Sequence, residues 1–129
     1  MDAGLAEDRV LTPSVATTLE VLAAELEIAG ARCITLDRVM GEVMAALPEA
    51  DRVRMLSGLH DVDLLGQHLT NLSAFSRGLS DSLPTHLTAC VAGAISSLTL
   101  GALADRMVAG LGGGPAAGRD SSDGDLDLF

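Results

Sequence analysis

At 129 residues the chain has room for one domain with a core of one or two layers, which excludes a second independent domain. Hydrophobic residues make up 48% but aromatic ones only 2%, so the core is expected to draw on Leu, Ala, Val and Met, a helical palette that argues against a sandwich or barrel. Asp and Glu number 18 against 8 basic residues, a formal charge of −10 that is wrong for neutralising phosphates, so nucleic-acid binding is not expected.

The first ten residues, MDAGLAEDRV, are acidic and carry no apolar signal stretch. Cys33 and Cys90 form neither a CxxC pair nor a cysteine-histidine cluster of zinc spacing, which fits a reducing, cytoplasmic compartment. Leu87 to Ala104 is uncharged, but Thr88, Gly93, Ser96, Ser97, Thr99 and Gly101 dilute it, so a buried helix rather than a membrane span is expected.

After an N-terminal stretch of residues 1–11, Thr12 and Pro13 supply a cap and a first-turn proline. Apolar positions then run Val15, Leu19, Leu22, Leu26, Ala29, Cys33, Leu36, Met40, Val43 and Leu47, alternating four and three as in a bundle seam. Gly30 and Gly41 fall off that seam, each costing about 1 kcal/mol relative to Ala. Pro48 ends the helix, and Glu49 and Asp51 supply negative charge to the start of the next one. That helix repeats the period at Gly58, Val62, Leu65, Leu69, Leu72, Ser76 and Leu79, and the short connection makes the two antiparallel neighbours.

Asp81, Ser82 and Pro84 mark a further turn, followed by a third helical segment over roughly 84–109 with a less regular stripe. The helical domain is thus expected over 12–109, a flexible Gly-rich linker over 110–122, and an acidic, apolar peptide over 123–129. The fold class is all-α: a long antiparallel hairpin plus a third segment. Two such hairpins would bury their remaining apolar surface by pairing into a four-helix-bundle homodimer, unless the third segment covers the hairpin within one chain.

Chemistry concentrates in LHDVDLLGQHLTNLSAF, residues 59–75. On the second helix Asp63 and Gln67 lie one turn apart, nearly opposite the expected seam, so a carboxylate and a carboxamide project together. Asn71, Ala74 and Gly78 continue that face with small or neutral side chains that would let another protein approach. Spacing alone leaves the pair as ordinary polar residues of an exposed helix face.

The segment DLLGQ resembles the DxxxQ motif of the CheZ phosphatases of bacterial chemotaxis, whose best-known members read DLTGQ on the long helix of a helical hairpin. In size the chain is similar to the compact alphaproteobacterial CheT proteins. The resemblance covers the second helix, the hairpin in general and the terminal peptide in style, but not the third segment. It implies that Gln67 orients the water attacking the aspartyl-phosphate of a CheY-like response regulator, and that Asp63 pairs with the regulator's lysine. It also implies no cofactor or metal on this chain, the Mg2+ being held by the regulator. The CheT likeness further suggests contact with the chemoreceptor methyltransferase.

His60 opens a third alternative, histidine phosphotransfer, because one class of histidine kinases carries HDxxxQ. That register would need Gln at position 65, where this chain has Leu65. His68 and His86 lack partners at ligand spacing. In the tail, Leu126, Leu128 and Phe129 alternate with Asp125 and Asp127. By composition this is a solubilising acidic terminus; by resemblance it is a peptide that docks on the regulator.

Overall fold

A computed structural model describes residues 11–113. It is all-helical, with α1 over Val15–Ala45, α2 over Glu49–Ser82, and two short helices, α3 over Ala92–Ser96 and α4 over Gly101–Gly110. The first two helices form the expected antiparallel hairpin. No described helix is long and apolar enough to cross a membrane.

The cap at the start of α1 is Ser14 rather than Thr12: its Oγ accepts the Thr17 amide at 3.0 Å, satisfying one of the donors that a helix start leaves open. At the other end Pro48 separates the helices as expected. Leu47 donates to the Met44 carbonyl at 3.1 Å, and the Pro48 carbonyl then accepts the Asp51 and Arg52 amides, both at 3.0 Å.

Two compact units divide the residues. In the first, residues 11–22 and 78–113, the expected third helix is interrupted. Residues 87–91 run beside 11–15: Val15 donates to Leu87 O at 2.8 Å, Ala89 to Pro13 O at 3.1 Å and Val91 to Leu11 O at 3.0 Å. Those backbone partners compete with a helical ladder, so only α3 and α4 remain of the segment. Val91, Leu111 and Ala16 are buried there, and buried Ser80 donates its hydroxyl to Ala16 O at 2.7 Å. Gly112, at φ 95°, ends α4 in the left-handed conformation that glycine adopts without strain, and Gly113 donates back to Val108 O at 2.8 Å.

In the second unit, residues 23–77, the hairpin closes on a row of small side chains. Buried Ser73 donates its hydroxyl to the carbonyl of buried Ala23 at 2.8 Å. One heptad along each helix, Gly30 and Gly66 are both buried. A Cβ at Gly30 would stand 3.2 Å from Thr70 Oγ1, and one at Gly66 would stand 3.3 Å from Cys33 Cβ. The interhelical row on α1 is therefore Ala23, Leu26, Gly30, Cys33, Asp37, Met40 and Met44, and on α2 it is Leu59, Val62, Gly66, Leu69, Ser73 and Ser76, all buried or half-buried.

This corrects the expected seams. Leu36, Val43, Leu65 and Leu72, placed in the contact by periodicity, are between 41% and 52% exposed. The neighbouring small residues take the contact instead, because small side chains let two backbones approach closely and let a serine hydroxyl reach a carbonyl across the gap. Gly30, read as off the seam, lies in it. In the first unit Leu22 and Leu79 are likewise exposed, while Ala16 and Ser80 are buried.

Candidate functional site

Half of each expected row shifts by one residue, which turns the centre of the α2 contact face by about 50° toward Asp63. Asp63 and Gln67 are both exposed, as expected, but they stand at the flank of the helix contact instead of opposite it. Each directly follows a contact residue, Val62 or Gly66. Gly66, the fourth residue of DLLGQ, is the one that lets Cys33 of α1 approach, and so it brings the motif's two polar side chains alongside α1.

Gln67 donates from Nε2 to Asp63 Oδ2 at 2.9 Å, so the pair is already joined along the helix. Asn71 donates from Nδ2 to the Gln67 main-chain carbonyl at 2.9 Å. With its amide hydrogen turned to Asp63, Gln67 keeps Oε1 as an acceptor, while Asp63 has a second carboxylate oxygen to offer a cation. Together the two can hold a water and a positive charge within one helical turn.

Beside the pair lies an open cleft of about 300 Å3. Cys33, Ile34 and Asp37 line it from α1, and Asp63, Gln67, Thr70 and Asn71 line it from α2, with Val62 and Gly66. The α1 side is not visible in the periodicity: Cys33 reads as an apolar seam position, and Leu36 takes the expected seam place next to Asp37. The signal that would have found it is an acid in a row otherwise made of small and aliphatic residues, visible only once the register is known. At the far edge, Glu27 and Arg77 face each other across the helices at 3.7 Å, an exposed pair worth little to stability.

Ala74 and Gly78 are exposed and continue the helix face beyond Asn71. His60 is also exposed, seven residues before Gln67 and so about 10 Å away along the same side of α2. Among the described residues no group of three or more His, Cys, Asp or Glu is placed to hold a metal ion. Cys33 and Cys90 are free thiols, and His68 and His86 are exposed. The docking-peptide residues Asp125, Leu126, Asp127, Leu128 and Phe129, with most of the linker, lie outside the described residues.

A family model described as a domain of unknown function (DUF8776) matches residues 12–129. No curated protein and no solved structure matches the chain.

Proposed function

We propose that this chain, which belongs to the DUF8776 family of domains of unknown function, accelerates dephosphorylation of a CheY-like response regulator. The observation that carries the reading is the Asp63 and Gln67 pair: a carboxylate and a carboxamide hydrogen-bonded at 2.9 Å on an exposed helix face, within a DLLGQ segment and beside a cleft.

Hydrolysis of an aspartyl-phosphate needs a water oxygen in line with the P–O bond that breaks. The products are inorganic phosphate and the regulator's free carboxylate. The divalent cation held by the regulator offsets charge on the phosphoryl oxygens, so this chain has only to position. Gln67 reaches into the regulator's site and accepts a hydrogen bond from the attacking water through Oε1. Asp63 exchanges its hydrogen bond from Gln67 for the regulator's lysine ammonium, a charge-assisted bond roughly twice as strong as a neutral one. That exchange fixes the docked pose and releases the Gln67 amide to donate to a phosphoryl oxygen. Asn71 and Ala74 border the approach, with no long side chain to obstruct it. The terminal peptide, through Leu126, Leu128 and Phe129 with Asp125 and Asp127, holds the regulator near Gln67 by a tether. Two free thiols suit a reducing compartment such as the cytoplasm.

The test is the rate at which a phosphorylated CheY-like regulator loses its phosphoryl group with and without the full chain, in the presence of Mg2+. Acceleration that disappears in Gln67→Ala supports the reading. Binding of the regulator, or of a chemoreceptor methyltransferase, without acceleration would make the chain an adaptor. Transfer of label to His60 would make it a phosphotransfer protein.

A further inference from the structure

In the 23–77 unit the interhelical row of α1 runs through Gly30, Cys33, Asp37, Met40 and Met44, small and apolar side chains with one acid among them. Asp37 is half-buried there, and among the described residues it takes part in no hydrogen bond and no ion pair. A carboxylate that gives up part of its water without gaining a partner destabilises the fold, and an apolar side chain would pack that position better. Polar residues that break the packing pattern in this way belong, as a rule, to functional sites.

Asp37 opens into the cleft that Asp63 and Gln67 line from α2, and Ile34 stands on the same α1 wall at 67% exposure. Charge at this cleft is unbalanced. Arg38 and Arg77 are engaged elsewhere, Arg38 with Glu42 at 3.1 Å and Arg77 with Glu27 at 3.7 Å. Asp37 and Asp63 thus line one opening from two helices, and among the described residues neither has an ion pair. The walls between them, at Ile34, Val62 and Gly66, are apolar. Such a cleft suits a lysine or arginine side chain, whose aliphatic stem lies on the walls while its cationic head meets a carboxylate.

We infer that Asp37 and Ile34 select the partner. The regulator docks across the cleft, with its active-site lysine on Asp63 and a second basic side chain laid over Ile34 and against Asp37. This rests on the phosphatase reading for the kind of partner, and adds the residues of α1 that discriminate among regulators. A single charge pair on α2 leaves the regulator free to turn about it. Two pairs on two helices hold one pose, in which Gln67 meets the phosphoryl group. Asp37 is therefore a positioning residue, touching neither the water nor the phosphoryl group.

The test is binding of the full chain to CheY-like regulators loaded with beryllofluoride, a stand-in for the aspartyl-phosphate, measured by calorimetry beside the dephosphorylation rate. Asp37→Asn is expected to raise the dissociation constant about tenfold at about 0.05 M salt and much less at about 0.5 M, where screening already weakens the parent's pair. Ile34→Ala should raise it about threefold at both salts, as lost apolar contact does. The half-saturating regulator concentration should follow these constants while the rate at saturation does not. Asp37→Asn should melt no lower than the parent. Asp61→Asn removes the same charge from an exposed position about 200° round α2 from Asp63, and should bind as the parent does. Parental affinity of Asp37→Asn at low salt overturns the inference. So does an equal loss in Asp61→Asn, or early melting of Asp37→Asn, which would make the residue structural. A parent chain that binds the loaded regulator through Asp37 without accelerating dephosphorylation overturns the phosphatase reading and leaves this one standing. A parent chain that binds no loaded regulator overturns both.

Discussion

Asp63 and Gln67 stand out at the level of single residues because their chemistry is separable from the fold. Both are exposed, and they bond each other along one helix instead of across the hairpin. Gln67→Ala is therefore expected to cut the accelerated dephosphorylation rate at saturating regulator by roughly 10² or more while changing the half-saturating concentration little. A titration of regulator against each variant separates the two effects. Asp63→Asn keeps the size but loses the charge that would face the regulator's lysine, and the half-saturating concentration should rise roughly tenfold. Urea unfolding of the same variant should stay within about 0.5 kcal/mol of the parent. An Asp63→Asn chain that unfolds early would make the residue structural. His60→Gln should retain full acceleration, and its loss would favour phosphotransfer.

Between the two long helices, packing turns on glycine and serine, and the two kinds of glycine should respond oppositely to substitution. Gly41 has nothing within 4 Å of an added Cβ, so Gly41→Ala should stabilise by up to about 1 kcal/mol through helix propensity alone. Gly66→Val would press on Cys33, where a Cβ already stands at 3.3 Å, and should destabilise by about 1–3 kcal/mol. The same change should reduce acceleration as well, because Gly66 sets how near α1 lies to Asp63 and Gln67. Ser73→Ala removes the buried bond to Ala23 O and should cost about 1 kcal/mol. Chemical denaturation of the three variants side by side orders these effects. The 3,4 periodicity was legible in both helices, but which side of the apolar band faces the partner helix was not. A band of large aliphatics next to a row of Ala, Gly and Ser admits two registers. Periodicity scoring favours the large residues, and backbone proximity favours the small ones.

For the whole chain, recruitment and chemistry are expected to sit in different segments. Deleting residues 123–129 should raise the regulator concentration needed for half-maximal acceleration with little change at saturation, since Gln67 and Asp63 remain on α2. A titration at matched salt checks this, because contacts made by Asp125 and Asp127 weaken with screening. The sequence by itself determined the helical class, the hairpin with its break at Pro48, and the Asp63 and Gln67 pair one turn apart. Those features depend on composition, proline geometry and helical pitch, which are local. Only the tertiary structure decided that the strip 87–91, hydrogen-bonded to 11–15, replaces part of a third helix, that Asp37 and Cys33 border the candidate site, and that Leu36, Val43, Leu65 and Leu72 are left exposed. Each of these follows from which neighbour a backbone or side chain meets across the fold, and a pattern along one chain does not carry that information.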